Sequence, residues 1–429
     1  MTVIYTPHIS PRLQYIVAHL FEGSAGITTS IEEYHDTIGV KINYSNTKMI
    51  DSELWIIPSG LLQEKNIRDQ SIEITYWQQL PVFFSTKGSI PFDIFSAAFY
   101  VLSRYEEYLP HEKDPYGRYA YTNSIAWKYQ FLDQPVLDLW MKQLELVLKQ
   151  QQSSWHLPIR IFSIEPTYDI DQAYRYLWLS PFRNIRGYFF DLFQGQFDHV
   201  TTRMKVLSGK QKDSYDIYDW LDALHIQYQL DPIYFFLMAE KRNSIDKNID
   251  PYTRGMQQLI SRHAGKYTIG IHPSAQSNSD IDRLNRECQL LQYHADQKIE
   301  RSRQHYVIMD FPDTYRRLIQ SGILHDYSMG YGAVNGFRAS IAHSFYWYDL
   351  LNEQTTNLRI HPFCYMDSTA IFHERLNAEM AMERMSGLYE TVKKVNGTFS
   401  FILHNHFLAE QSEWMIWRQL YEDFLKKYC

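Results

Sequence analysis

The chain contains few of the residues that support covalent cross-links, flexible linkers or membrane spans. Its 429 residues include three cysteines, Cys288, Cys364 and Cys429, which are too few and too scattered for a disulfide framework or a thiolate metal site. Only 18 residues are glycine, which argues against long flexible linkers and Gly-rich repeats. Because no run of about 18 uninterrupted apolar residues is present, we predict no membrane span.

Basic charge is also scarce, with 42 lysines and arginines against 49 aspartates and glutamates. A nucleic-acid binder needs a basic face that neutralises phosphates, so we predict no nucleic-acid partner. Residues 1–21 lack the basic start, the long apolar core and the small-residue cleavage site of a signal peptide. We therefore expect a cytoplasmic protein.

Aromatic residues are abundant, and the length allows two domains with a core each. Residues 1–155 predict an α/β domain of unassigned role, and residues 156–429 predict a second domain. The polar end of a helix predicted at 135–152 marks the hinge between them. From residue 158 onward, predicted strands and helices alternate, which favours a parallel sheet or barrel.

Two segments of the first domain have patterns that predict their local structure. The stretch "FDIFSAAFYVLSRYEEYL", residues 92–109, has apolar residues at a spacing of three and four and predicts a helix. Arg104, Glu106 and Glu107 would lie on its exposed side. The stretch "HEKDPYGRYAYTNS", residues 111–124, is polar and turn-rich and predicts a loop.

Several strands predicted in the second domain end on a residue that can bind a metal or transfer a proton. These strand ends carry Asp169 and Asp171, then His272, His305 and His404 in chain order. In a parallel β/α barrel the carboxyl ends of the strands open onto one face, and that face carries the active site. Their order therefore predicts a common site.

The chemistry of these residues fits a catalytic metal centre. Such a centre needs about three nitrogen or oxygen ligands and one open position for water, and Asp171, His272 and one further donor could supply them. Residues one apart on a strand point to the same side, so Asp169 can act as a base beside the ligand Asp171. The alternative is a strand-end turn in which the aspartates cap backbone N–H groups. The histidines at the later strand ends favour the metal centre over the capped turn.

The motif "PTYDID", residues 166–171, resembles the first motif of the polysaccharide deacetylase (NodB-like) superfamily, whose members are metal-dependent carbohydrate esterases. The resemblance implies an α/β fold, an irregular (β/α)7 barrel, here with a separate N-terminal α/β domain. It also implies that Asp169 is the general base and Asp171 a metal ligand. "IGIHPSAQS" resembles the second motif: His272 matches a metal-binding histidine, and Gln276 stands where a second one is expected.

Two later segments extend the resemblance. "RQHY" resembles the third motif, Arg-x-Pro-Tyr, and implies that Arg303 and Tyr306 contact substrate, with His305 where proline is usual. "FSFILHNH" resembles the last motif, whose histidine protonates the leaving group. The spacing fits His404 or His406, and we favour His404 because it directly follows "FIL".

The glutamine at position 276 leaves the ligand set open, because its carbonyl is a poor ligand for Zn²⁺ beside imidazole or carboxylate. His305 could enter the coordination sphere, a water could fill the gap, or the site could have lost its metal. We predict Asp171, His272 and His305 as ligands of a divalent metal, with Zn²⁺ favoured. Gln276 is then assigned to substrate binding.

The stretch "HDYSMGYGAVNGFRAS", residues 325–340, combines closely spaced glycines with charged side chains. We interpret it as a substrate-binding loop with Asp326 and Arg338, the latter orienting a carboxylate or supporting Asp169. The alternative is a surface turn with a structural arginine. Asp367 is a further possible site residue.

The first domain contributes a resemblance but no chemistry. "FDIFSAAFYVLSRYEEYLP" and "YGRYAY" resemble the N-terminal domain that accompanies such deacetylases in Bacteroidetes-type bacterial proteins. The leading function is therefore a metal-dependent hydrolase that removes acetyl groups from an N- or O-acetylated oligo- or polysaccharide. One alternative, favoured by Gln276, is a catalytically impaired barrel that binds glycans or scaffolds envelope biosynthesis. Another is a C–N hydrolase of small amides, which would have a closed, compact pocket.

Overall fold

A computed structural model describes residues 2–429. Within this range the strands form a four-stranded sheet, a two-stranded hairpin and a nine-stranded sheet, which confirms a mixed α/β fold. The strands are β1 Thr2–Tyr5, β2 Ala25–Thr28, β3 Val40–Tyr44, β4 Leu54–Ile56, β5 Thr75–Trp77, β6 Leu80–Val82, β7 Ser163–Ile170, β8 Ile233–Leu237, β9 Thr268–His272, β10 Arg301–Ser302, β11 His325–Met329, β12 Phe345–Asp349, β13 Gln354–Pro362, β14 Tyr365–Met366 and β15 Thr398–His404.

Helices follow most of the strands and cover both sheets. They are α1 Pro11–Phe21, α2 Ile31–Asp36, α3 Ile94–Leu102, α4 Ile125–Lys128, α5 Val136–Leu148, α6 Pro181–Phe193, α7 Phe197–Leu207, α8 Tyr218–Tyr228, α9 Arg254–Ala264, α10 Ile281–Ala295, α11 Asp313–Gln320, α12 Ala378–Lys394 and α13 Met415–Tyr428. Between residues 2 and 429, no helix combines the length and the apolar character that crossing a bilayer demands.

The first sheet is parallel throughout, in the order β2-β1-β3-β4. All four residues of β1 are buried, as expected for a central strand covered on both faces. Helix α1 begins where Ser10 accepts a hydrogen bond from the backbone N–H of Leu13, and Pro11 fits its first turn. Local sequence therefore sets where this helix starts.

The second sheet has the order β12-β13-β11-β10-β9-β8-β7-β15-β14, and only the pair β12–β13 is antiparallel. Its two ends are brought together by the bend between β13 and β14. The backbone N–H of Phe363 donates to Met329 O in β11, and that of Cys364 donates to Ser400 O in β15, each at 3.2 Å. The sheet is therefore curled, with the carboxyl ends of its parallel strands on one side.

The two sheets belong to units that pack closely, since a single hydrophobic core includes residues of both. Arg104, Glu106 and Glu107 were expected on an exposed helix face, and this expectation is wrong. Helix α3 ends at Leu102, and the left-handed backbone of Arg104 (φ 55°) turns the three side chains inward. There they meet Arg338 from the second unit. The boundary near residue 155 stays a prediction.

We call Arg104, Glu106, Glu107 and Arg338 the interface cluster. Glu107 accepts hydrogen bonds from Arg104 Nε at 2.7 Å and from Arg338 Nε and Nη2 at 2.9 and 2.5 Å. Glu106 accepts from Arg104 Nη2 at 2.8 Å and from the backbone N–H of Ile125 at 3.0 Å. Burial alone would raise the pKa of Glu107, but the two guanidinium groups outweigh it and lower the pKa to about 2.

Candidate functional site

The carboxyl ends of β10, β9, β7 and β15, which with β8 are consecutive in the sheet, converge as the strand-end pattern predicted. Asp169 lies in β7 opposite His404 in β15, and Asp171 directly follows β7. His272 ends β9, and His305 lies in a tight turn three residues after β10. The structure therefore brings all five side chains to one side of the curled sheet.

Asp171, His272 and His305 lie close enough to share a cation. Their ligand atoms are all within 4.8 Å of one another. His272 Nε2 is 3.2 Å from Asp171 Oδ1, and His305 Nε2 is 3.3 Å from Asp171 Oδ2. The first contact lacks the angle of a hydrogen bond, so Asp171 Oδ1 is buried without a partner. An unpaired buried carboxylate oxygen is costly, and a cation would satisfy it.

Both imidazoles are oriented by their other ring nitrogen. His272 Nδ1 donates to Arg303 O at 2.6 Å, and His305 Nδ1 donates to Asp246 Oδ1 at 2.8 Å. Each Nε2 therefore faces Asp171, which is the orientation that metal-binding histidines adopt. The sequence gives no signal for Asp246, which follows β8 in a loop without a motif.

The charges of this group favour an ionised carboxylate. Burial would raise the pKa of Asp171, but His305 and His272 outweigh that effect and hold the pKa well below its usual range. Burial would lower the pKa of His305, but Asp171 and Asp246 raise it to about 9. A metal that binds here would therefore displace a proton from His305.

Asp169 is held beside this group by a buried arginine. Arg303 Nη1 donates to Asp169 Oδ1 at 2.9 Å and to Thr167 Oγ1 at 2.7 Å, and Arg303 Nε donates to Tyr327 O at 3.0 Å. Asp169 Oδ2 remains 3.6 Å from His272 Nε2. Arg303 was predicted to contact substrate; the structure places it behind Asp169, outside the residues that line the cavity.

His404 forms a pair with Asp367, which the sequence had marked as a possible site residue. His404 Nδ1 and its backbone N–H donate to the two carboxylate oxygens of Asp367, each at 2.6 Å. Burial would lower the pKa of His404, but Asp367 and Asp171 raise it to about 10, so the ring is cationic at neutral pH. Burial lowers the pKa of His406 to about 3, so the two histidines are not equivalent.

A cavity of about 600 Å³ with an aromatic wall is lined by Asp169, Asp171, His272, His305 and His404. Tyr306 and Trp414 line it from the second unit, and Tyr116 and Arg118 come from the loop predicted at 111–124. Arg118 Nη1 donates to Tyr306 O at 2.7 Å, while its buried Nη2 has no partner. The sequence predicted the loop but gave no signal that it reaches the site.

Gln276 is not among the residues that line the cavity. It follows β9, and its side-chain oxygen accepts a hydrogen bond from Arg283 on α10. His305 lies beside Asp171 in its place. Of the three explanations that the sequence left open, this placement favours His305 as the third donor.

Asp326 and Arg338, also predicted to bind substrate, lie outside the cavity lining as well. Asp326 is fully buried and accepts a hydrogen bond from Ser302 Oγ at 2.8 Å. Arg338 belongs to the interface cluster, so the residue that supports Asp169 is Arg303 instead. Buried hydrogen bonds account for the polar side chains of this stretch: Arg338 pairs with Glu107 of the first unit, whereas Asn335 pairs with Glu374 of the second.

Comparisons with known proteins give distant similarities. Residues 2–153 match DUF7033, a family of unknown function. No curated protein sequence matches the chain. The structure is similar to that of a candidate polysaccharide deacetylase from Mycobacterium smegmatis, with a TM-score of 0.40 and 12% identity over 64% of this chain and 86% of that one. A polysaccharide deacetylase from Bacillus cereus gives a TM-score of 0.32 and 9% identity over 63% and 88%.

Proposed function

We propose that the chain is a metal-dependent hydrolase that removes acetyl groups from an N- or O-acetylated carbohydrate. The observation that carries the proposal is the group of Asp171, His272 and His305, whose buried carboxylate oxygen has no hydrogen-bond partner. Asp169 and His404 flank this group, within 3.6 Å of His272 and Asp171 respectively. The motifs that resemble polysaccharide deacetylases assign the same roles to Asp169, Asp171, His272 and His404, whereas His305 stands where the third motif has proline.

We also propose a fold for the second unit and a boundary between the two units. If β13 and β14 are counted as one bent strand, the curled sheet has seven parallel positions: β7, β8, β9, β10, β11, β13–β14 and β15. We interpret it as the irregular (β/α)7 barrel, in residues 156–429, that the motifs imply. Residues 1–155 form the first unit, which packs against this barrel.

Asp171, His272 and His305 would hold the metal. One carboxylate and two imidazoles suit Zn²⁺, and catalytic zinc sites commonly use three protein ligands and an open position. A divalent cation held there would polarise an acyl carbonyl and make a water molecule more acidic. The hydrogen bonds to Arg303 O and Asp246 keep both imidazoles in the orientation that this binding needs.

Two side chains of the protein transfer the protons of the reaction. Asp169 acts as the general base, because Arg303 fixes one of its oxygens and leaves the other toward the cavity. His404 acts as the general acid that protonates the leaving nitrogen or oxygen. Asp367 keeps His404 cationic and oriented for that transfer.

The shape of the cavity favours a sugar over a small amide. Its volume of about 600 Å³ is in the range of ligand-binding clefts and exceeds a compact pocket. Tyr116, Tyr306, Phe407 and Trp414 offer aromatic faces on which a pyranose ring can pack. A binding-only scaffold is less well supported, because the missing second-motif histidine is compensated by His305.

The test measures metal content and acetate release on the full chain. We expect purified protein, exposed to Zn²⁺ and then desalted, to retain about one ion per chain. Asp171→Asn and His305→Ala should lose most of it, while His156→Ala, at an exposed histidine, should not. Acetate release from acetylated chito-oligosaccharides should follow metal content. Equal metal in wild type and site variants, or metal without acetate release, would contradict the proposal.

A further inference from the structure

An insertion between β7 and α8, residues 173–212, forms a helical hairpin in which α6 buries only Asp191, while α7 buries Val200, Arg203 and Val206. Asp191 on α6 is buried and accepts a hydrogen bond from Arg203 Nη2 on α7 at 2.7 Å. Arg203 Nη1 donates to Asn184 Oδ1 at 3.1 Å. Gly187 makes room for this guanidinium, because a side-chain carbon there would lie 2.6 Å from Arg203 Nη2. A buried ion pair and one further hydrogen bond therefore join the two helices.

The outer surface of the hairpin is apolar, the reverse of an ordinary surface helix. One face of α6 carries large apolar residues at a spacing of three and four, namely Phe182, Ile185, Phe189 and Phe193. Phe193 is 85% exposed and Phe182 73% exposed. A contiguous exposed face of large apolar side chains marks a surface that another body covers.

The hairpin is also cationic in a chain of net charge −7. Residues 173–212 contain seven arginines and lysines against two aspartates. Arg186 is exposed among the phenylalanines of α6, and Lys205 and Lys210 are exposed on and after α7. The occupant of this face should therefore be apolar and negatively charged at once.

We propose that the α6–α7 hairpin docks on the surface of a bilayer that contains anionic lipids. Phenylalanines of α6 would enter the boundary between headgroups and acyl chains, while arginines and lysines contact lipid phosphates. A second copy of the chain fits less well, because a two-fold contact would place the same cationic face against itself.

The hairpin is fixed at its base beside the cavity. Asp213 is buried and accepts hydrogen bonds from the backbone N–H groups of Arg175, Tyr176 and Leu177 at 2.8 to 3.0 Å. Gln172 and Tyr215, which flank the insertion, both line the cavity. Docking would therefore bring the cavity near the bilayer. Resting on the proposed function, this identifies the substrate as an acetylated carbohydrate presented at a membrane surface.

Vesicle co-sedimentation of the full chain tests the docking. We expect binding to vesicles of phosphatidylcholine with phosphatidylglycerol to exceed binding to phosphatidylcholine alone by about tenfold, and to weaken as salt rises. The double variant Phe189→Ala/Phe193→Ala and the variant Arg186→Glu should each lower binding several-fold. A matched control, Ile38→Ala/Ile226→Ala, removes side chains that are 93% and 78% exposed elsewhere and should bind as wild type does.

Two results would overturn the docking proposal. One is equal sedimentation with both vesicle types, or sedimentation that the hairpin variants leave unchanged. The other is a concentration-dependent dimer that the phenylalanine variants abolish, without vesicle binding. Acetate release from a soluble substrate should be equal in wild type and hairpin variants, so a failure of the proposed function would show in that assay and leave the vesicle result intact.

Discussion

The interface cluster and the candidate metal site are both groups of buried charges, and they differ in how completely their polar atoms are paired. In the interface cluster, every charged nitrogen and oxygen of the four side chains has a hydrogen-bond partner. At the site, one buried oxygen of Asp171 has none. A fully paired group stabilises an interface, whereas an unpaired one indicates a position for a ligand.

The comparison predicts different consequences for removing a charge. Loss of a charge from the interface cluster leaves its partners buried and unpaired, so stability should fall. Loss of the Asp171 charge removes an oxygen that the protein itself does not use fully, so activity should fall instead. Variants at the two groups test whether stability and activity respond separately.

The largest effect is expected for Asp171→Asn. Because the amide is a poor metal ligand, acetate release should fall by about three orders of magnitude, together with the bound Zn²⁺. The thermal unfolding midpoint of the metal-free protein should fall less than it does in Arg338→Met, because only one oxygen of Asp171 is paired. Unfolding scans with and without a chelator check this, and a large drop in the midpoint would place Asp171 with the structural charges.

A smaller loss is expected for Asp367→Asn, which acts through His404. We expect kcat to fall by about a hundredfold with little change in KM, because the imidazolium loses the carboxylate that keeps it charged. Steady-state kinetics on an acetylated chito-oligosaccharide provide the measurement. A rise in KM alone would assign Asp367 to substrate binding and not to positioning His404.

Arg338→Met should affect stability and leave the chemistry intact. Removing one partner of a buried pair typically lowers the free energy of unfolding by about 3–5 kcal/mol. Arg68→Met, at an exposed arginine paired with Glu64, should change it far less, because solvent screens an exposed ion pair. Urea unfolding measures both, and activity per folded molecule should equal wild type at low temperature.

Glu107 makes the stability of the interface cluster depend on pH. Its pKa falls from an ordinary 4.5 to about 2 on folding, so its contribution is fully present above pH 4.5 and is lost as the pH falls toward 2. Between these values the difference in unfolding free energy between wild type and Glu107→Gln should shrink by up to about 3 kcal/mol. A difference that stays constant from pH 6 to about pH 3 would contradict the lowered pKa.

The smallest effect is expected for Gln276→Ala. The side chain contacts Arg283 outside the cavity, so metal content and acetate release should stay within about twofold of wild type. A loss of metal in this variant would return Gln276 to the ligand set and contradict the assignment of His305.

Much of the site could be predicted from sequence because strand ends are a local property. An apolar run followed by a polar residue locates Asp169, Asp171, His272 and His404 without knowledge of the fold. Their convergence then follows from the geometry of parallel strands. The short strand before His305 indicated in the same way that this histidine belongs to the candidate site.

The residues that sequence analysis missed depend on contacts distant in the chain. Asp246 reaches His305 from a loop 59 residues away. Arg118 reaches Tyr306 across 188 residues. Neither lies in a periodic segment, so no local pattern indicates its partner. The interface cluster was misplaced for a related reason, since helical periodicity does not show that α3 stops at Leu102.

The contact between Arg118 and Tyr306 has a consequence for how the chain can be divided. Residues 2–153 form a recognisable family segment, yet part of the cavity wall belongs to them. A protein trimmed to its second unit would lose Tyr116 and Arg118 and expose the buried charge of Arg338. The first segment and the curled sheet therefore depend on each other, since one completes the cavity wall and each pairs a buried charge of the other.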